Sequence, residues 1–232
     1  MDNRVLLIIG GDPAGHPFHR TAPLTCGILL SSGFDEVHME SHLDRVKRAD
    51  GLAGYNVVVL HGRFPEREEP DEPAERGFEN FVHSGGGLVI IHIASSSFAY
   101  LKDGTGKSVS PSWLRLAGRV WEYGTSGHPE PAGPFRVNVV DTTHPITADI
   151  EDFDLVEDER YQDLRVDPDA KPHDLATATL DGRTEPVAWV VTPPAGGRVF
   201  HIALGHNHTT YENKAFRMLL NRGVAWAAGL LV

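Results

Sequence analysis

Short runs of apolar residues alternate along the chain with segments of helical spacing. Four of the runs are Val5–Ile9, Asn56–Leu60, Leu88–Ile93 and Arg198–Ala203. They are largely continuous rather than alternating, which is typical of strands that are buried on both faces of a parallel sheet. Helical segments such as Ala74–His83 lie between the strands. The pattern therefore predicts an α/β fold with a doubly wound, mostly parallel sheet flanked by helices.

The region from Ala94 to about Arg165 lacks this regularity and is rich in Gly, Ser, Pro and His. It predicts a short helix at Ser112–Ala117 and strands at Arg119–Tyr123 and Phe135–Val140. An irregular insertion of this length in a compact fold is more often functional than filler. No internal repeat or break in composition divides the chain, so residues 1–232 are expected to form a single domain.

Composition and charge narrow the class of partner. The formal net charge is −11, from 32 acidic and 21 basic residues, which disfavours nucleic acid because its partners usually carry a basic field. No apolar stretch approaches the ~20 residues of a membrane span. The lone Cys26 suits a reducing compartment, and the N-terminus shows no secretion signal. We therefore expect a cytoplasmic protein that binds neither nucleic acid nor membrane, and a homo-oligomer is compatible with the sequence.

Candidate chemistry lies at the predicted strand ends, because ligands of open α/β sheets bind outside the carboxyl ends of the strands. His92 ends one strand, and His206 follows Arg198–Ala203. One histidine in such a place is more often packed than functional, but several at one edge indicate a metal or proton transfer. Glu159 adds a carboxylate for acid–base or metal chemistry, with a solvated acidic patch as the alternative.

The strand before His92 resembles a nucleophile elbow, in which a sharp turn from strand to helix presents one side chain at the sheet edge. Gly85-Gly86-Gly87 precedes this strand, and Ser95–Ser97 follows it. The apex would be His92, which is neither a thiol nor a hydroxyl. Serine-hydrolase chemistry is therefore disfavoured, and Cys26, among apolar neighbours, is interpreted as a buried thiol.

Several stretches resemble the trehalose-utilisation (ThuA-like) family, whose fold is similar to class I glutamine amidotransferases and is flavodoxin-like in its sheet. The matching stretches are Gly85–His92, His144–Thr147, Asp158–Tyr161, Pro186–Trp189 and Gly197–His206, with Asn221 and Trp226–Gly229. The resemblance covers essentially the whole chain. In amidotransferases a cysteine occupies the elbow and a histidine follows a late strand, the positions held here by His92 and His206. An imidazole cannot replace the thioester-forming cysteine, so glutaminase activity is excluded while the location of the site is retained.

The resemblance implies a small-molecule carbohydrate as partner, often beside sugar dehydrogenases that make 3-keto sugars. We therefore expect a 3-keto sugar or a glycoside as substrate, and an isomerase, epimerase, lyase or hydrolase as the type of enzyme. The carbonyl of such a sugar acidifies the proton on the neighbouring carbon. A general base and a group that stabilises the enediolate would permit isomerisation, epimerisation or elimination. Histidines and a carboxylate could do this directly or through a divalent metal such as zinc acting as a Lewis acid.

The expected catalytic residues are His92, His206 and Glu159, with Glu159 as the proton acceptor. His92, His128 and His206 are the expected ligands if a metal is bound. Residues expected to contact the sugar are His19, Trp113, His128 and Tyr161, with Trp113 or Tyr161 as an apolar wall for the sugar ring. The roles of His61, His144 and His208 stay open.

The alternative is a non-catalytic sugar-binding or sensory domain that kept the amidotransferase-like fold. A passive sugar site would need mainly aromatic and amide side chains, and aromatic residues make up only 8% of this chain. The convergence of ionisable groups on one sheet edge therefore favours an enzyme.

Overall fold

The structure is a computed structural model that describes residues 3–11, 15–64, 72–102 and 106–232. Its strands are β1 (Arg4–Gly11), β2 (Glu36–Glu40), β3 (Val57–Arg63), β4 (Gly87–Ile91), β5 (Ala99–Lys102), β6 (Gly106–Val109), β7 (Arg119–Val120), β8 (Gly133–Val139), β9 (Phe153–Asp158), β10 (Arg165–Val166), β11 (His173–Leu180), β12 (Arg183–Val191) and β13 (Arg198–Ile202). Its helices are α1 (Phe18–Leu30), α2 (Glu72–His83), α3 (Pro111–Ala117), α4 (His208–Glu212) and α5 (Lys214–Ala227), with 3₁₀ turns at His92–Ser96 and Pro168–Ala170.

The central sheet has nine strands in the order β2–β1–β3–β4–β13–β12–β11–β8–β9. The first five of these pair in parallel, and the remaining pairs are antiparallel. The parallel half has the strand order of flavodoxin-like sheets, with β13 in the place of the fifth strand. The predicted α/β fold, with a mostly parallel sheet flanked by helices, is confirmed.

Alternate residues of the parallel strands pack into two separate cores, one on each face of the sheet. Val5 and Leu7 of β1 belong to the core under α1 and α5, whereas Leu6 and Ile8 belong to the core under α2 and α3. Strands β3 and β4 divide their side chains in the same way. This double burial explains the continuous apolar runs in the sequence, since neither face of these strands meets water.

The middle region contributes two strands to the sheet. β8 and β9 form its far edge, and because the strands from β13 to β9 alternate in direction, β9 runs the same way as β13. The carboxyl end of β9 therefore lies at the edge where the parallel strands also end. Asp158, the last residue of β9, brings Glu159 to that edge.

None of the helices in the described part of the chain is long and apolar enough to cross a membrane.

Candidate functional site

His92 stands directly after β4, where the strand turns into a 3₁₀ helix. Its φ is 50°, a left-handed conformation that residues other than glycine rarely adopt. Such backbone strain costs about 1–3 kcal/mol and is concentrated at functional sites. The sharp turn from strand to helix has the form of a nucleophile elbow, with an imidazole at its apex.

The His92 ring is held by a backbone carbonyl on one side and faces two polar groups on the other. Nδ1 lies 2.7 Å from the carbonyl oxygen of Ala203, which can only accept, so Nδ1 carries a proton. The Tyr161 hydroxyl lies 2.8 Å from Nε2, and Glu159 Oε2 lies 3.2 Å from the same atom. The reactive side of the imidazole is therefore Nε2, and it meets a carboxylate.

Three histidines and one glutamate converge at this point. One ligand atom each from His16, His92, Glu159 and His206 lies within 4.8 Å of every other. The ring centroids of the three histidines are 5.3–5.4 Å apart. Glu159 is the common partner: Oε2 faces His92, and Oε1 lies 3.3 Å from His206 Nδ1.

Asp158 fixes the backbone that presents two of these side chains. Its buried carboxylate accepts hydrogen bonds from the backbone amides of Glu159 at 2.8 Å, His206 at 3.0 Å and Gly205 at 2.8 Å. The hydroxyl of Thr210 donates a fourth at 2.8 Å. One carboxylate thus ties the end of β9 to the loop between β13 and α4, and so sets Glu159 against His206.

Replacing Asp158 by alanine is expected to lower the free energy of unfolding by about 3 kcal/mol or more, because each buried donor left without an acceptor costs about 1–3 kcal/mol. Urea denaturation measures the change. The matched control is Asp154→Ala on the same strand, whose carboxylate is exposed and pairs with the exposed Arg136. That change should cost less than about 0.5 kcal/mol. Equal losses in the two variants would contradict the role given to Asp158.

Electrostatics keep Glu159 ionised. Burial alone would raise the pKa of Glu159, but the close contacts and charges of His206 and His92 outweigh it and lower the pKa well below its usual value. Burial lowers the pKa of His206, and its contact with Glu159 raises it overall. The pKa of Tyr161 is raised well above 10, first by burial and then by Glu159 and Asp158, so its hydroxyl keeps its proton and can donate.

The structure brings most of the predicted site residues together. His92, His206 and Glu159 are in mutual contact, and Tyr161 stacks on His92 with ring centroids 4.5 Å apart. His128 approaches the cluster through Glu159, whose Oε1 lies 3.5 Å from its Nε2.

Two predicted residues are not brought into this cluster. Trp113 is 1% exposed, packs on Phe78 and Phe98, and donates to the carbonyl oxygen of Ser95. His19 is exposed on α1, where it lines a groove with Met39.

Sequence reasoning missed His16 and Trp121. His16 lies in the loop after β1. Ligands of open α/β sheets bind at the carboxyl ends of the parallel strands, so the argument that identified His92 applies to His16 as well. Trp121 is half-buried, and its ring centroid lies 4.5 Å from that of Tyr161 and 5.6 Å from that of His128. Trp121 directly follows β7. Nothing in the sequence distinguishes it from Trp113 as a candidate site residue, and only the folded structure does.

The three histidines without an expected role lie in different environments. His61 is buried between the hydroxyls of Thr21 and Thr25, at 3.1 Å and 2.9 Å. His144 is part of the turn around Asp141–Thr147 and packs against Trp226. His208 begins α4.

His61 is expected to make stability depend on pH. Burial, with smaller effects of His92 and His16, lowers its pKa from 6.5 to about 3. Between about pH 3 and pH 6.5 only the unfolded chain takes up a proton at His61. The stability that neutral His61 contributes is therefore complete above about pH 6.5. As the pH falls below that value, the free energy of unfolding decreases by up to about 1.4 kcal/mol per pH unit. Urea unfolding of wild type and His61→Gln between about pH 7 and 5 measures the difference in slope. Identical slopes would contradict the neutral, buried state of His61.

Comparison with known proteins agrees with this architecture. The family model ThuA, described as trehalose utilisation, matches residues 4–227. No curated protein gives a significant match. A solved structure described as ThuA-like, from Parabacteroides merdae ATCC 43184, is 25% identical with a TM-score of 0.77, covering 100% of this chain and 92% of that one.

Two further solved structures show the fold alone. A protein described as ThuA-like, from Bacteroides uniformis ATCC 8492, has 18% identity and a TM-score of 0.74, covering 97% of this chain and 91% of that one. A protein from Thermoplasma acidophilum, described as part of a GMP synthase, has 11% identity and a TM-score of 0.56, covering 99% of this chain and 96% of that one. The last likeness supports the relation to the amidotransferase-like fold. The family model spans nearly the whole chain, and the protein belongs to the ThuA family, the family of trehalose utilisation.

Proposed function

We propose that the protein is a carbohydrate-processing enzyme that removes the proton next to the carbonyl of a 3-keto sugar. The observation that carries this proposal is the Glu159 carboxylate, held 3.2 Å from His92 and 3.3 Å from His206 at the carboxyl ends of the strands. The family, that of trehalose utilisation, supports a carbohydrate as the class of substrate.

In the proposed reaction an oxygen of Glu159 takes the proton from the carbon next to the carbonyl. The electron pair of the broken C–H bond moves into the carbonyl group, whose oxygen becomes that of an enediolate. Tyr161, which keeps its hydroxyl proton, or protonated His206 donates a hydrogen bond to that oxygen.

The product depends on which bond of the enediolate forms or breaks next. Delivery of the proton to the former carbonyl carbon, with loss of the hydroxyl proton from the carbon that was deprotonated, gives an isomer whose carbonyl has moved. Return of the proton to the other face of the carbon that lost it gives an epimer. In a 3-keto glycoside, the electron pair can instead expel the group on carbon 1, which is an elimination. All three outcomes need the same base and the same stabilised oxygen.

Glutamine hydrolysis is not proposed, because the elbow holds an imidazole and the chain's one cysteine lies elsewhere. Cys26 is on α1, where it is half-buried rather than fully buried as the sequence predicted, and it packs against the core under that helix. No thiol is therefore available at the apex to form the thioester.

The proposed sugar-binding surface uses Trp121 in place of Trp113. The half-buried Trp121 lies against both Tyr161 and His128, whereas Trp113 is fully covered. The acidic net charge of −11 fits a neutral sugar, which needs no basic field to attract it. We also propose that the protein works as a single domain in the cytoplasm, where its lone cysteine stays reduced.

Proton NMR of the purified protein with 3-keto-glucose and 3-keto-trehalose tests the proposal. New sugar signals that grow with time and scale with protein concentration would support an enzyme. Broadening of the sugar signals without new products would favour the alternative, a sugar-binding or sensory domain. Unchanged spectra for both sugars would overturn the keto-sugar proposal.

A further inference from the structure

We infer that His16, His92, Glu159 and His206 bind one divalent transition-metal ion of the zinc type. The inference deepens the proposed function and rests on it for what the ion does, whereas the binding itself is a property of these four side chains. This ligand set differs from the one expected from the sequence, because it includes His16 and Glu159 and does not include His128.

The first argument is the tautomer of His92. Because Nδ1 donates to the carbonyl of Ala203, neutral His92 presents a lone pair at Nε2. That lone pair lies 3.2 Å from Oε2 of Glu159, so an imidazole nitrogen and a carboxylate oxygen face the same point. The Tyr161 hydroxyl lies 2.8 Å from the same nitrogen, so an ion bound at Nε2 would take the place of the Tyr161 hydrogen bond. A metal ion at this point would bind both electron-pair donors.

The second argument is the close convergence of the ligand groups. Three imidazoles share the site with one carboxylate, and their centroids are only 5.3–5.4 Å apart. His206 Nδ1 is buried 3.3 Å from Glu159 Oε1, yet it makes no aligned hydrogen bond to any group in the described part of the chain. A divalent cation would accept electron pairs from all four ligands at once.

The third argument is the chemistry and geometry of the donor set. Three imidazole nitrogens and one carboxylate oxygen suit Zn²⁺ and its neighbours Co²⁺ and Fe²⁺. Atoms bound to one ion in a tetrahedral site, at about 2.1 Å each, lie about 3.4 Å apart. The four ligand atoms lie within 4.8 Å of each other, so the widest pair would have to close by no more than about 1.4 Å.

The surroundings of the cluster also match those of metal-binding histidines. Such histidines usually donate their second ring N–H to a carbonyl or carboxylate, as His92 does to Ala203. Asp158 holds the backbone of both Glu159 and His206. His128 is not one of these four residues: it contacts Glu159 at 3.5 Å and Glu130 at 3.4 Å, and the three form a separate group of possible ligands.

In the proposed reaction the ion would act as a Lewis acid on the carbonyl oxygen of the sugar. Glu159 has two carboxylate oxygens, so one can bind the ion while the other accepts the proton. The metal site and the acid–base site are therefore the same site.

The test is titration of the chelator-stripped, full-length protein with Co²⁺, followed by visible absorption, and with Zn²⁺ in competition with a chromophoric chelator. We expect one ion per chain, Zn²⁺ bound more tightly than about 1 μM, and Co²⁺ bands of nitrogen–oxygen coordination. His16→Ala should weaken binding at least about 100-fold, as expected for loss of a first ligand. His16→Asp, which restores a ligand atom, should recover part of the affinity and also guards against a misfolded alanine variant.

The matched control is His19→Ala, an exposed histidine three residues along the chain. It should bind the ion within about twofold of wild type, since it lies outside the cluster. Wild type that binds no ion more tightly than about 1 mM, or His16→Ala that binds as well as wild type, would overturn the inference. The titration contains no sugar, so its result does not depend on the proposed reaction. A protein that binds the ion but converts no keto sugar in the NMR assay would overturn only the proposed function. A protein that binds no ion and still converts the sugar would overturn only the metal site.

Discussion

Replacing His92 by asparagine is expected to lower kcat/KM on a 3-keto sugar by at least about 1000-fold, which corresponds to about 4 kcal/mol of transition-state stabilisation. Asparagine is the chosen replacement because it tolerates the left-handed backbone that His92 adopts at φ 50°. The variant should therefore fold while it loses the imidazole that faces Glu159 and Tyr161. Steady-state kinetics on the keto sugar measure the loss, and thermal unfolding confirms the fold.

The matched control for this change is His144→Asn, a half-buried histidine in a turn against Trp226. Its activity should stay within about twofold of wild type, because it shares no partner with the site. If kcat/KM of His92→Asn stayed within tenfold of wild type, His92 would have no catalytic role, whatever the effect of the change on stability.

Glu159→Gln is expected to lower kcat at least about 1000-fold with little change in KM, because an amide of the same shape cannot accept the proton. Glu159 makes the closest acidic contacts to His92 and His206, so no neighbouring carboxylate in the described cluster can replace it. Kinetics at saturating and limiting sugar separate the two parameters.

Glu157→Gln is the matched control, since Glu157 is exposed two residues earlier and should leave kcat within about twofold. If Glu159→Gln kept a nearly normal kcat, the general base would be one of the histidines and not Glu159. A large rise in KM at constant kcat would instead make Glu159 a sugar-binding group.

The sequence allowed the parallel half of the fold to be predicted because burial on both faces leaves a visible pattern. Val5–Ile9 and Leu88–Ile91 are continuous apolar runs, and each serves both cores. His92 and His206 followed from the same prediction, since residues after such strands meet at one edge. The path of β8 and β9 could not be predicted, because no periodicity tells which strand an edge strand will pair with.

The rest of the site depended on positions that sequence alone does not distinguish. Trp113 and Trp121 lie eight residues apart in the same region, and only packing shows that the first is buried in the core and the second lies at the cluster. His16 and His19 lie on either side of the start of α1. The helix carries His19 outward into solvent, whereas the loop places His16 against His92.

The most direct test of the central claim is hydrogen exchange on a 3-keto sugar dissolved in deuterium oxide, followed by proton NMR. We expect wild-type protein to accelerate the loss of the signal from the carbon next to the carbonyl, whether or not a later step follows. Glu157→Gln should do the same, and Glu159→Gln should leave the signal at the rate of sugar alone. A sugar that binds the wild-type protein while that signal persists at the uncatalysed rate would contradict proton abstraction and leave a binding domain.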